Sequence, residues 1–283
     1  MIDLHTHTSA SDGLLGPARL VERAARQGVR VLAVTDHDTT EGIPEALASA
    51  AGFDIRLIPG IEFSVEYPHG SFHLVGLFVD HENPALLQAV RRLKGIREGR
   101  GARIIAELEK AGVNIPLEEV AAEAAGGALG KPHFARVMVR RGYASVEEVF
   151  ERYLVNGRPG DVPKEKLSPS EAIHLVLEAG GLPILAHPSS LGMPSFESFE
   201  ALLDELRDIG LAGVEAYAST HADEEVRRYE TLARARGLLV SGGSDFHGEG
   251  DERPGYYGQG RIIPAWIIKE MDRYRNTRPS GRA

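Results

Sequence analysis

Short apolar runs alternate with longer amphipathic ones along most of this chain. The apolar start, Met-Ile-Asp-Leu, reads as a short strand. Pro17 opens an amphipathic helix with Ala18, Leu20, Val21, Ala24 and Ala25 on one face, and Gly28 stops it. Val29 to Val34 is a second apolar strand, followed by a helix around Ile43 to Ala51. Ile55 to Ile61 predicts a third strand. Tyr67-Pro68-His69-Gly70 reads as a turn, and Ser71 to Val79 as another strand. The order β, α, β, α, β, β is mostly strand–helix alternation, as in an α/β barrel or sheet.

From about Asn83 the period changes. Helix signals run nearly unbroken to about Glu178, punctuated by glycines. Ser145 with Glu148 and Ser168 with Glu171 have the spacing of capping boxes. Residues 93–166 are read as a helical insertion in a barrel formed by 1–92 and 167–283. Alternation then resumes. Strands are expected at Leu182 to Ala186, Gly213 to Ala218 and Leu238 to Gly242. Helices are expected at Phe196 to Ile209, at His221 to Arg236 and after Pro264, before a basic tail that reads as frayed.

Composition narrows the classes. A chain of 283 residues, 42% hydrophobic, suits one large domain or a domain with an inserted subdomain. No apolar run approaches the ~18 residues of a membrane span, so no membrane partner is expected. A cleaved signal is not expected either, because the first strand carries candidate ligands. With no cysteine, disulfides, thiolate metal sites and cysteine nucleophiles are excluded, which fits a cytoplasmic protein. The net charge of −9 reads as solubility and argues against a broad grip on long nucleic acid. No protein partner is indicated.

The chemistry lies at the strand ends. His5 and His7 are two apart on a strand, so both imidazoles point to one side, and Asp12 follows where the strand turns. His37, Glu62, His73, His187, Asp245 and His247 also fall at or near the carboxyl ends of predicted strands. In a barrel of parallel strands those ends meet on one face. Nine nitrogen and oxygen ligands exceed the needs of one ion and suit two or three divalent ions, with Mn, Zn and Fe equally acceptable. Alone, His73 in Phe-His-Leu reads as an ordinary core or surface histidine. Asp36 and Asp38 flank His37 as orienting partners, with a cap as the alternative for Asp38. His69, His81, His174 and His221 read as surface residues.

His5-x-His7, Thr35-Asp36-His37, Gly60-Ile61-Glu62, Ala186-His187-Pro188 and Gly243-Ser244-Asp245-x-His247, in that order, resemble the polymerase-and-histidinol-phosphatase (PHP) family. The resemblance implies a distorted seven-stranded TIM-like β/α barrel with a trinuclear metal centre. It implies one ion held by His5, His7, Glu62 and Asp245. A second would be held by Asp12, His37 and His247, and a third by Glu62, His73 and His187, with Glu62 bridging. The long insertion resembles the branch of that family that removes phosphate from nucleoside 3′,5′-bisphosphates and, in some members, trims short 5′-phosphorylated RNA. Lys131-Pro-His133-Phe-Ala-Arg136, Arg158 and Lys164 are similar to that branch's phosphate-facing stretches.

The expected activity is therefore metal-dependent phosphoester hydrolysis on a small phosphorylated substrate, a nucleotide, with short RNA as a second. Three divalent ions against three carboxylates leave a pocket positive enough for phosphate, and bound metals make hydroxide available near neutral pH to attack phosphorus. The implied catalytic set is His5, His7, His37 and His247, with Arg136 meeting the transition-state charge. Lys131, His133, Arg158 and Lys164 are substrate candidates, with a solvated surface as the alternative for each. The competing readings are a histidinol-phosphate phosphatase, a metal-dependent amidohydrolase and a non-catalytic module of the same fold.

Overall fold

Seven strands pair in chain order: β1 (Ile2–Asp3), β2 (Val31–Val34), β3 (Arg56–Val65), β4 (Phe72–Leu77), β5 (Leu182–Leu185), β6 (Gly213–Tyr217) and β7 (Leu239–Gly242). The computed structural model describes residues 1–123, 129–155, 157–163, 165–248, 250, 252–258 and 260–277, the side chains of 97 and 98 excepted. Beyond β1 and β7 the chain goes on bonding across the seam. Leu4 N–H donates to Gly242 O, Asp245 N–H to His5 O, and His7 N–H to Phe246 O, at 2.9–3.2 Å. The result is a nearly closed, distorted (β/α)7 barrel.

The helices are α1 (Pro17–Arg26), α2 (Ile43–Ala50), α3 (Pro84–Lys110), α4 (Leu117–Glu123), α5 (Lys131–Arg140), α6 (Val146–Val149), α7 (Pro169–Glu178), α8 (Phe196–Ile209), α9 (Asp223–Ala235) and α10 (Trp266–Thr277). One turn of π-helix follows α6 and one of 3-10 helix follows β5. Both capping boxes form: Ser145 and Ser168 accept from the N–H groups of Glu148 and Glu171, whose carboxylates accept in return. Among the described residues no helix is long and apolar enough to cross a membrane.

Two compact units result, Met1–Val90 with Lys166–Ala283, and Arg91–Glu165. The first buries α1 and α2 against the sheet through Leu20, Val21, Ala24, Ala46, Leu32 and Val34. The second has its own core of Ile104, Leu108, Val120, Phe134, Val137, Met138, Val149 and Leu154.

Three features differ from the sequence expectation. β4 runs antiparallel to both neighbours, so His73, its second residue, lies at the amino end of its strand and not the carboxyl end. β3 runs on to Val65 because it continues to pair with β4, which puts Glu62 inside a strand. A small hairpin, β8 (Tyr256–Tyr257) with β9 (Arg261–Ile262), had no counterpart in the pattern. The tail after Thr277 lies outside the described residues.

Candidate metal centre

The nine residues singled out at the strand ends come together in the first unit. β1 and its extension deliver His5 and His7, both fully buried. The loop after them bends back sharply: Ser11 and Gly13 N–H both bond to Thr8 O, and a Cβ on Gly13 would lie 2.6 Å from His7 O. Only glycine fits there, and the bend puts Asp12 Oδ1 3.6 Å from His7 Nδ1. Asp36 holds the loop, accepting from Thr8 N–H (2.7 Å), Thr8 Oγ1 (2.8 Å) and Ser11 Oγ (2.6 Å). It therefore serves the loop, not His37 as the sequence suggested. Asp38, the other flank of His37, accepts from Ser64 N–H.

Glu62 is the hub. Its oxygens lie 3.3 Å from His5 Nε2, 3.3 Å from His7 Nε2, 3.0 Å from His37 Nδ1, 3.3 Å from His73 Nδ1 and 3.2 Å from His187 Nε2. His37 reaches it because the end of β2 pairs with β3 at this residue. On the other side Asp245 Oδ1 lies 3.2 Å from His7 Nε2 and 3.5 Å from His5 Nε2. Asp12 lies 3.4 Å from His247 Nε2 and 3.8 Å from His37 Nε2. Four overlapping groups have the spacing of ion ligands: His5 with His7 and Asp245; His7 with Asp12, His37 and His247; His5 with Glu62 and His187; and His37 with Glu62 and His73. His7 thus joins the Asp12 group as well as the Asp245 group.

Whether these residues fit metal ions can be tested on their own atoms. His5 Nε2, both ring nitrogens of His7, His37 Nδ1 and Glu62 Oε2 are buried without a hydrogen-bond partner. Orphaned polar atoms of this kind are costly and rare. Here they face one another at ion-pair distances without hydrogen-bond geometry. Two ligand atoms each about 2.1 Å from an ion at tetrahedral angles are about 3.4 Å apart, close to the spacings found. The donor set fits divalent cations.

The charges agree. Burial alone would lower the pKa of His5, but the carboxylates of Glu62, Glu215 and Asp245 outweigh it and hold that pKa well above its ordinary value. His7 is raised to about 10 against its burial, by Asp245 and Glu62. His187 and His247 are raised too, by Glu62 and Asp12 against burial. Burial dominates at His37 and lowers it to about 4. Burial pushes Glu62 upward, but the surrounding imidazoles, His37 and His5 foremost, hold it well below the carboxylate range. His5, His7, His187 and His247 thus hold protons where no other cation stands, and metal ions binding there would displace them.

Sequence reasoning missed Glu215, a lone carboxylate inside the apolar strand Gly213-Val-Glu-Ala-Tyr, which is buried against His5. That isolated charge was the available signal. It also placed His221 on the surface, whereas His221 is buried, with Nδ1 2.8 Å from Ala216 O. The described substrate candidates, Lys131, His133, Arg136 and Arg158, lie in the second unit. Lys131 is paired with Asp161 at 2.7 Å. His133 Nδ1 accepts from Gly130 N–H at 2.9 Å and so caps α5. Arg136 is exposed, 3.7 Å from Glu123, and Arg158 is exposed. Lys164 lies outside the described residues.

Fold and site define a class: an α/β-barrel enzyme built around a cluster of histidines and carboxylates with the spacing of metal ligands. The PHP domain matches residues 3–156. The 5′-3′ exoribonuclease Rnm of Salmonella typhimurium (strain LT2) is 38% identical over 248 residues, 87% of this chain and 84% of that protein. The 3′,5′-nucleoside bisphosphate phosphatase of Chromobacterium violaceum is 36% identical over 263 residues, 88% of each. A solved structure of an amidohydrolase from Chromobacterium violaceum, with bound sulfate and no metal, superposes with a TM-score of 0.78 at 32% identity, covering 97% of this chain and 96% of that one. The chain belongs to the PHP domain family. It is an enzyme, a hydrolase of phosphate esters.

Proposed function

We propose that this protein removes phosphate from nucleotides, with a nucleoside 3′,5′-bisphosphate as its substrate and short 5′-phosphorylated RNA as a second. The observation that carries the reading is the cluster itself: six histidines and three carboxylates gathered around Glu62, with orphaned buried atoms on His5, His7, His37 and Glu62. The relatives named for a nucleoside bisphosphate and for RNA support the nucleotide class. The sulfate in the Chromobacterium structure, an anion of phosphate's shape, supports a phosphate ester. No barrel strand carries a lysine, and a carboxylate occupies the centre, which favours a phosphatase over an amidohydrolase.

His5, His7, Asp12, His37, Glu62, His73, His187, Asp245 and His247 would hold two or three divalent ions, Mn, Zn or Fe. Bound there, such ions would lower the pKa of water toward about 7 and neutralise phosphate oxygens. The protein's own contribution is to hold the ligands still. Glu62 spans the cluster, Asp36 fixes the loop that carries Asp12, and Ser190 Oγ, 2.9 Å from His187 Nδ1, turns that ring so that Nε2 faces Glu62. Arg136 is the candidate to meet transition-state charge, with Lys131, His133, Arg158 and Lys164 as candidate phosphate contacts.

Phosphate release by metal-stripped protein reloaded with Mn2+ or Zn2+ tests the reading. Adenosine 3′,5′-bisphosphate, AMP, histidinol phosphate and a short 5′-phosphorylated RNA form the panel. Metal-dependent turnover of the bisphosphate, abolished in His37→Ala, is the expected result. Preference for histidinol phosphate would move the protein to that branch, and silence on every substrate with metal bound would overturn the proposal.

A further inference from the structure

Glu215 sits in the middle of β6 at 2% exposure, and the hydrolysis as described does not use it. Its two oxygens lie 3.2 and 3.3 Å from His5 Nδ1. Oε2 also accepts, at 2.8 Å, from the backbone N–H of His187. An ionised carboxylate only accepts. The amide of His187 donates its hydrogen to that carboxylate, and the contact with His5 is a hydrogen bond to the same acceptor only when His5 carries a hydrogen on Nδ1. The lone pair of a neutral His5 ring is then on Nε2, the buried atom with no hydrogen-bond partner that lies 3.3 Å from Glu62 and 3.5 Å from Asp245. The other tautomer would turn an N–H into the ion's place and a lone pair against a carboxylate.

The contact with His187 acts on the main chain. His187 has φ 22° and ψ 64°, a left-handed conformation that is strained for a non-glycine residue and persists only where its surroundings hold it. The bond to Glu215 is one of the contacts that hold it, and from this turn the ring reaches Glu62 at 3.2 Å. One carboxylate therefore fixes the ring of one ligand and the backbone of another, both in the group His5, Glu62 and His187. The chain makes room for it: a Cβ at Gly243 would lie 2.9 Å from Glu215 Oε1 and 2.1 Å from His5 Cβ.

We infer that Glu215 is a positioning residue of the metal centre, which sets His5 as an Nε2 ligand and holds the backbone of His187 in place for the same ion. The inference rests on the metal-centre reading above. Its first test is the ring of His5 in Zn2+-loaded, 15N-histidine-labelled protein, identified by difference with His5→Ala. The expected spectrum has a hydrogen on Nδ1 and a metal-shifted Nε2. A bare or metal-bound Nδ1 overturns the inference without any variant at position 215.

The second test is calorimetric Zn2+ titration of Glu215→Gln and Glu215→Asp. Gln keeps the volume but turns an NH2 toward one of two N–H groups that need an acceptor. It is expected to weaken one site by about 10–100-fold, the usual cost of losing such a partner. Asp, still a carboxylate, is expected to recover part of that loss. A folded Gln variant with wild-type affinity and stoichiometry overturns the inference. Neither readout needs turnover. Wild-type protein that binds Zn2+ yet hydrolyses no phosphate ester refutes the proposed function and leaves Glu215 standing, whereas active enzyme with a bare His5 Nδ1 refutes Glu215 alone.

Discussion

Glu62 meets five imidazoles with two oxygens, at 3.0–3.3 Å, in a place closed to solvent. No neutral side chain of the same shape can do this, since an amide would offer one acceptor and a misplaced donor. Glu62→Gln is expected to lose at least one bound ion and to lower phosphate release by at least about 100-fold, the upper end for residues that merely support a ligand. Elemental analysis beside the phosphate assay checks both, and a variant with full metal content would remove Glu62 from the centre. The residue types were legible in the sequence because histidine beside carboxylate at successive strand ends has few other uses. Their pairwise contacts were not, because spacing along the chain carries no information on which ring nitrogen faces which oxygen. Asp36 illustrates this: its neighbour in sequence is His37, but its oxygens go to Thr8 and Ser11.

At the scale of elements, strand ends do the aiming. Asp38, His187 and Asp245, following β2, β5 and β7, all have left-handed φ values of 51°, 22° and 55°. Non-glycine residues adopt this region only where surrounding contacts impose it, and it clusters at functional turns. The β7 turn also needs its glycine, because Gly243 packs against the backbone and Cβ of His5. Gly243→Ala is expected to cost about 1–3 kcal/mol of stability by overpacking and to weaken metal binding, as read by urea unfolding and metal titration. Unchanged values for both would show that the seam yields. The reversal of β4 was in principle readable. The six residues that join β3 to β4 (66–71) are too few for a parallel crossover, which needs a dozen or more, so the pair had to be antiparallel. The alternation of apolar positions is the same in either direction, and for that reason the pattern alone was silent.

For the whole molecule the consequence of gathering so many ionisable groups is a dependence of stability on pH and metal. The folded pKa of His7, about 10, lies above its ordinary 6.5. The native state therefore holds that proton more tightly than the unfolded chain does. The stability it contributes is fully present below about pH 6.5 and is lost as pH rises toward 10. His5, His187 and His247 shift in the same direction. Metal-stripped protein is thus expected to melt at a lower temperature at about pH 9 than at about pH 6.5. Mn2+-loaded protein is expected to resist this loss, since each site filled to 100 times its Kd adds about 2.7 kcal/mol. Melting scans with and without metal check this, and a flat profile for the stripped protein would contradict it. The barrel class was legible from strand–helix alternation. The β8–β9 hairpin was not, since strands of two residues leave no periodicity to detect.

The seam between β1 and β7 has a consequence for synthesis. His5 is translated 210 and 240 residues ahead of Glu215 and Asp245, which flank it. Until β7 is translated, β1 lacks one of its two neighbours, and Asp245 and His247 do not exist. Contacts of such sequence separation form late because a long loop must close first. A nascent chain therefore presents seven of the nine cluster residues without Asp245 and His247, and the finished centre assembles only after β7 docks on β1.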